Sequence, residues 1–337
     1  MRRWVPLLVL PALSGCYLLQ AAGGQASVSA RSEPIERVVA DPRTPAATRA
    51  RLELAQHVRA YAVDELGLPD GTSYRRYADL GRRYALWNVV AAPEFSVEPR
   101  RWCFPVAGCV AYRGYFAESR ARAFARRLAR RGDDVTVGGV ATYSTLGRLS
   151  DPLLNTMLGW DEARFAATIF HELAHERLYV PGDSEFSEAF ASVVEQEALR
   201  RWLLARGDSA GLERQRASVA REAQFAALLR SARQRLARLY ASGADAATLR
   251  IDKQREFGRL KFEYTQLRAR WGGYAGYDGW FARTLNNSHL AAVATYHDCV
   301  PGLRRELAAA GSLPAFYERA AELAALPLEQ RRGAVCR

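Results

Sequence analysis

The chain has 337 residues, 49% of them hydrophobic and 25% charged, which is enough to bury a sizeable core and too apolar for a disordered polymer. Lysine and arginine outnumber aspartate and glutamate by 48 to 36, giving a net charge of +12, yet Lys253 and Lys261 are the only lysines. Such an arginine skew reads as nucleotide composition, and runs such as Arg120 to Arg131 read as solvated helix faces. No nucleic-acid partner is therefore expected, and an anionic membrane or peptidoglycan surface is the better match to the charge.

In chain order, Arg2 and Arg3 precede a short apolar stretch, Trp4 to Leu13, that is too short to span a bilayer and ends in Leu13-Ser-Gly-Cys16. This resembles a bacterial lipoprotein signal. Residues 1–15 are then the signal peptide and Cys16 the lipidated first residue of the mature chain. Tyr17, in place of the Asp that marks inner-membrane retention, directs it to the periplasmic face of the outer membrane, so the expected location is the cell envelope. Residues 16–43, rich in Ala, Gly, Ser and Gln, are expected to form a flexible tether, and 44–337 a single domain. No later run approaches 18 apolar residues, so no transmembrane helix is expected.

Periodicity predicts a helix over 46–66 ended by Gly67, and a buried strand over 86–92 stopped by Pro93. A strand over 109–116 and a basic helix over 118–131 follow. Strands at 134–137 and 140–144 are separated by Gly138-Gly139 as a bulge or bend. A helix runs from about Asp161 to Leu178, and Pro181-Gly182-Asp183 breaks it before a second amphipathic helix over 187–195. Two helical stripes within 208–270, with Gly243 and the cap Asp245 between them, predict an antiparallel hairpin. It serves either core packing or as a lid or partner-docking arm. The glycine- and aromatic-rich loop 271–280 lines a cleft or makes a tight connection, and 285–307 is helical with a break at Pro301.

Residues 171–175 read His-Glu-Leu-Ala-His inside the first of those paired helices. Histidines at i and i+4 lie one turn apart on one face, so both imidazoles can point at one ion, and Glu172 sits beside them where its carboxylate can reach a water. The second helix presents Glu188 as a third donor. Glu195, two turns further on the same face, is the alternative.

Residues 165–196, with Ser187-Glu-Ala-Phe-Ala191 as second motif, resemble the gluzincin (thermolysin-like) metallopeptidases. Cys103–Cys109, Tyr112-Arg-Gly-Tyr-Phe116, Gly138–Thr145, Asp151–Leu154, Asn286-Asn287 and Val293-Ala-Thr-Tyr296 resemble a narrower bacterial family of predicted zinc-dependent aminopeptidases of the envelope. The resemblance implies an α+β fold: a mostly helical zincin-like metallopeptidase with a small sheet N-terminal to the metal helix and a long helical hairpin. It implies one zinc per chain on His171, His175 and Glu188, with a zinc-bound water deprotonated by Glu172 to hydrolyse a peptide substrate. Tyr296 is the expected oxyanion donor, ahead of Tyr143, His289 and His297. Gly139, Val140, Ala141 and Tyr143 are the expected substrate-binding edge, with Gly139 allowing close backbone approach. Two departures stand out: Glu176-Arg177 directly after the second histidine, and Ser192 where the clan often has an Asp supporting a ligand histidine. No Glu lies in the 138–144 strand to bind an α-ammonium, which leaves Glu185 and Asp151 as substitutes. A second reading makes the chain a zinc- or peptide-binding envelope lipoprotein, or an assembly factor on a peptidase scaffold without turnover; the intact Glu172 argues against a mere binder.

Cys103, Cys109, Cys299 and Cys336 form an even set expected to oxidise in an exported chain. Three pairings are formally possible. The short Pro- and Gly-containing loop favours Cys103 with Cys109, leaving Cys299 for Cys336.

Overall fold

The computed structural model describes residues 12–104, 108–142, 144–145, 149–291 and 299–336, with side chains from residue 17 onward. The architecture is α+β and mostly helical. The core is built around α5 (Glu162–Arg177) and α6 (Ser184–Ala205), which pack against α3 (Ala46–Asp64) and the C-terminal helices α9 (Val300–Ala310), α10 (Leu313–Ala325) and α11 (Leu328–Val335). Phe165 and Phe170 of α5, Phe186 and Phe190 of α6 and Phe316 of α10 are fully buried there, and Phe190 stacks on Phe316 at 5.7 Å. Burying one such ring contributes about 1.5–3 kcal/mol.

Local chemistry sets the ends of the central helices. The Asp161 carboxylate caps α5 by accepting from the Arg164 amide at 3.0 Å. Asp183 caps α6 from the Phe186 amide and is itself gripped by the buried Arg331 guanidinium at 2.8 Å. Arg331 also donates to the carbonyls of Ala324 and Leu326, so the C-terminal helices lock the turn between α5 and α6. α6 is longer than the amphipathic stripe predicts, because its later turns are buried on Trp202 and Leu203.

Among the described residues the strands form three short sheets beside this core. β3 (Leu86–Pro93) is central in the order β6-β3-β7, pairing antiparallel with β6 (Arg113–Tyr115) and β7 (Asp133–Val140). One face of this sheet is covered by α4 (Glu118–Ala129) through Val89, Ala91, Tyr115, Phe124 and Leu128. β4 (Trp102–Phe104) and β5 (Gly108–Val110) make a two-stranded ribbon closed by the Cys103–Cys109 disulfide. The expected strand over 109–116 is therefore two strands. Cys109 is held to Cys103 in one sheet while Arg113–Tyr115 joins β3 in another, and the chain turns at Ala111-Tyr112. Cys299 pairs with Cys336, tying α9 to the C-terminal end.

Gly138 and Gly139 form no bulge: they stay in an unbroken ladder, opposite Asn88 and Trp87, and the strand ends at Val140. The segment 16–43 is not an extended linker. It forms the end of α1 (Ala12–Ala30), β1 (Ser32–Pro34) and α2 (Ile35–Ala40). β1 pairs with β2 (Arg76–Ala78), which runs parallel to β8 (Leu153–Leu154). Val28 is buried against Ala78, Leu80, Ala85 and Leu154, and Ile35 lies in the main core; this burial outweighs the weak amphipathicity of the stretch.

α7 (Ser209–Tyr240) and α8 (Ala246–Arg270) are the predicted hairpin, turned at Gly243 with φ +77° and capped by Asp245, which accepts from the amides of Ala247 and Thr248. It has its own core of Phe225, Leu229, Leu236, Phe257, Leu260 and Tyr264, closed by Phe281, Leu285 and Leu290. The 271–280 loop is largely a connection within this core: Tyr277 stacks on Phe225 at 4.0 Å, and Phe281 just beyond it on Tyr264 at 3.9 Å. The hairpin is pinned to the strands by buried Lys253, whose ammonium meets Asp134 at 2.6 Å and the Glu94 carbonyl at 2.8 Å. Among the described residues no helix is long and apolar enough to cross a membrane.

Candidate metal centre

α5 and α6 bring His171, His175 and Glu188 together, with one ligand-type atom from each lying within 4.8 Å of the others. The Glu188 Oε2 lies 3.4 Å from His171 Nε2 and 3.7 Å from His175 Nε2. Ligands about 2.1 Å from a tetrahedral ion are separated by about 3.4 Å, so two imidazole nitrogens and a carboxylate oxygen at these spacings fit a single zinc-sized cation. His175 is buried, and its Nδ1 has no hydrogen-bond partner among the described residues. The rings of the two histidines stand edge to face at 4.8 Å, the consequence of one helical turn between them.

Glu195, the alternative third donor, lies outside this three-residue cluster. Its Oε2 binds His171 Nδ1 at 2.9 Å, on the opposite edge of the ring from Nε2. A carboxylate in that place fixes the Nδ1–H tautomer and leaves Nε2 as the free donor. A carboxylate thus meets this imidazole from Glu195, about one turn beyond Ser192 on α6. Burial disfavours the His171 cation, but the hydrogen bonds that its ring donates to Glu188 and Glu195 outweigh it and hold the imidazole pKa well above its ordinary range. Burial pushes Glu188 up, and its hydrogen bonds to both histidines overcome that and take it far below the usual carboxylate range. A pocket this favourable to positive charge suits a cation.

Burial raises the pKa of Glu172, with His171 and His175 opposing. Two tyrosines that the sequence does not single out stand close by. Tyr112, at the turn between β5 and β6, is pushed up by burial and then by the Glu188 carboxylate, Tyr179 and Glu172. Tyr74 is buried and raised by desolvation and by Glu172, Asp151 and Glu176. It adopts φ +60°, the left-handed region that costs an L-residue about 1–2 kcal/mol, with its amide donating to the Asp151 carbonyl at 2.8 Å. The only advance signal for Tyr112 is its place in the Tyr112–Phe116 motif.

A family model described as "Putative aminopeptidase" matches residues 16–335. The chain belongs to that family. Comparison with curated proteins and with solved structures gives no match.

Within this aminopeptidase family member, neither acid expected to stand in for an ammonium anchor is free. Asp151 accepts from Ser144 Oγ at 3.1 Å, the Thr145 amide at 2.7 Å and Thr145 Oγ1 at 2.8 Å; Glu185 pairs with Arg332 at 2.8 Å. Gly139 has a packing reason other than substrate approach: a Cβ there would lie 2.5 Å from the Tyr84 ring. Val140 and Ala141 have their carbonyls occupied by the Ala85 amide at 2.8 Å and Thr156 Oγ1 at 2.6 Å. His289 sits on the sheet side, Nε2 3.4 Å from Thr136 Oγ1 and Nδ1 2.9 Å from Asn286 Oδ1. Tyr296, His297 and Tyr143, and the side chain of Cys16, lie outside the described residues.

Proposed function

We propose that the chain is a zinc-dependent peptidase of the gluzincin type, acting as an aminopeptidase. The observation that carries this is the spacing of His171, His175 and Glu188 around one point, with the half-buried Glu172 next to His171 on the same helix. His171, His175 and Glu188 would hold one zinc, and zinc bound there supplies Lewis acidity that polarises a carbonyl and acidifies water. Glu195 keeps His171 in the tautomer that presents Nε2. The Glu172 carboxylate takes a proton from the water as its oxygen bonds to the scissile carbonyl carbon, and returns that proton to the leaving amine as the tetrahedral adduct collapses and the C–N bond breaks. Burial of Glu172 suits both halves of that shuttle, because it raises the carboxylate's affinity for the proton it must carry. The Tyr112 phenol, kept protonated by burial, offers a hydrogen-bond donor for the oxyanion from within the described residues.

The experiment is cleavage of a peptide library by purified protein, untreated, stripped with chelator and restored with zinc. Hydrolysis that disappears and returns, with cuts starting at free N-termini, supports an aminopeptidase; internal cuts would make it an endopeptidase, and no cuts would overturn the enzyme reading in favour of a binding scaffold.

The Leu13-Ser-Gly-Cys16 ending carries the further proposal that the chain is processed before Cys16 and lipid-anchored on the envelope. A Cys16→Ser variant is expected to stay unlipidated and leave the membrane fraction. Mass spectrometry finding an unmodified mature N-terminus at another residue would refute the anchor.

A further inference from the structure

The chain has no slack between Cys16 and the folded body. α1 is fixed from its first described side chain: the Tyr17 ring packs on Phe104 at 5.2 Å and on Tyr115 at 5.6 Å, Gln20 donates to the Gly114 carbonyl at 3.3 Å, and Val28 is buried. Consecutive Cα atoms are about 3.8 Å apart, so a lipid on Cys16 would hold the surface around Tyr17 at the headgroups. A flexible linker would instead let the body stand off. The outward side of α1 suits such contact: residues 17–30 carry no charge, and Leu18 and Leu19 are 48% and 73% exposed.

The helix beside Tyr17 supplies the charge. The Arg113 guanidinium lies 4.0 Å from the centre of the Tyr17 ring and 4.7 Å from that of Phe124 on α4, so α1 and α4 share one cation. Arg127 reaches over the same Phe124 ring at 5.2 Å. Arg120 and Arg127, two turns apart, share one exposed row on α4, and Arg131 follows its last turn. Residues 118–131 hold six arginines against one acid, Glu118, which pairs with Arg122. Asp133 and Asp134, just beyond, are taken by Arg100 and Lys253. Among the described residues the other five arginines, all exposed, meet no carboxylate. The arginines of the hairpin differ: Arg235 pairs with Glu256 and Glu263, Arg255 with Asp252, and Arg259 with Glu263. Charges paired in that way need no partner outside the chain, whereas the α4 face is an uncompensated cationic patch.

We propose that Leu18, Leu19 and the arginine face of α4 form a docking surface for an anionic lipid membrane, which holds the anchored domain in one orientation. The place of the membrane rests on the lipid-anchor reading, and its sign on the unpaired charge. Alone the face binds reversibly; it orients a chain that the lipid retains. The test uses the unlipidated chain from residue 16 carrying Cys16→Ser. It is sedimented with vesicles of phosphatidylcholine mixed with phosphatidylglycerol, and with vesicles of phosphatidylcholine alone. Binding is expected only to the mixed vesicles, and should fall steeply as added salt shortens the Debye length. Each arginine at an anionic surface is worth about 5-fold in partition, so Arg120→Ser, Arg127→Ser and Arg131→Ser together should cost about 100-fold. Arg214→Ser, Arg216→Ser and Arg255→Ser remove the same charge from exposed, acid-paired sites on the hairpin and should leave binding unchanged. Leu18→Ser with Leu19→Ser should weaken binding to the mixed vesicles by about 10-fold. Each variant is compared at a melting temperature equal to the parent's. An equal loss in the two arginine triples, or binding indifferent to both, overturns the docking face and leaves the anchor standing. Sedimentation with purified peptidoglycan but not with the mixed vesicles overturns the membrane as its occupant. If mass spectrometry refutes a lipid on Cys16 while the mixed vesicles still bind through α4, the docking face stands without the anchor.

Discussion

Replacing Glu195 by alanine removes the group that holds His171 Nδ1 at 2.9 Å and leaves all three proposed ligands in place. The side chain of Glu195 is about one-third exposed, so water enters the vacated space and the fold should survive. What is lost is the fixed tautomer and ring angle of His171, and with them part of the preorganisation of Nε2 toward Glu188 at 3.4 Å. Supporting carboxylates of this kind are worth about 10- to 100-fold in metal affinity, or about 1.4–2.7 kcal/mol. Glu188→Ala, by contrast, removes a charged donor and should abolish stoichiometric zinc retention. The assay is competition for zinc against a chromophoric chelator, with the parent, Glu195→Ala and Glu188→Ala side by side. The expected order is parent, then Glu195→Ala, then Glu188→Ala well below both. If Glu195→Ala loses zinc as completely as Glu188→Ala, Glu195 is a ligand and the division of labour along α6 is wrong. If it loses none, the contact with His171 has no role in holding the metal.

Glu172→Gln should retain zinc and melting temperature while hydrolysis falls by about 10²- to 10⁴-fold; turnover equal to the parent's would move the base elsewhere. The Cys299–Cys336 bridge closes a loop of sequence separation 37 against 6 for Cys103–Cys109, so in the chain-entropy model they stabilise by about 4 and about 2 kcal/mol respectively. Cys336→Ser should therefore lower the melting temperature more than Cys109→Ser, and the reverse order in calorimetry would contradict this. Burial, then Arg283, lowers His289 to about 4 in the folded chain. The unfolded chain takes up this proton near pH 6.5, so the contribution of His289 is whole above that value. It is lost as pH falls toward 4, by up to about 3 kcal/mol. His289→Gln should flatten denaturation midpoints measured between pH 7 and 5; an unchanged slope would show that the imidazole is protonated in the native state.

The paired helices are legible in the sequence because their signals are local. The i, i+4 histidines, the Asp161 and Asp183 caps and the Pro-Gly break all act within one or two turns, and local geometry alone puts both imidazoles on one face. The hairpin stripe, the Gly243 turn and the short Cys103–Cys109 loop are open to the same argument, and Cys299–Cys336 follows only as the pair left over. The role of Glu195 is not: spacing on α6 puts Glu188 and Glu195 on one face, and only the packing of α6 on α5 decides which of them meets Nε2 and which Nδ1. The N-terminal segment misleads because its composition is that of a linker, while its order comes from partners distant in sequence, Ala78, Leu80 and Leu154 around Val28. The glycine pair likewise reads as a bulge, and its two members are separated only by which face of β7 each occupies: one under Tyr84, one facing open space. Tyr74 and Tyr112 carry no periodic or spacing signal; each comes from a turn whose direction is set by pairings elsewhere, the Asp151 carbonyl for one and the exchange of sheets after Cys109 for the other. Residue types at helical spacing thus fix what a site contains, because helix geometry is determined locally. Tertiary packing alone decides which atoms face each other across elements, because those contacts join residues that no local rule relates.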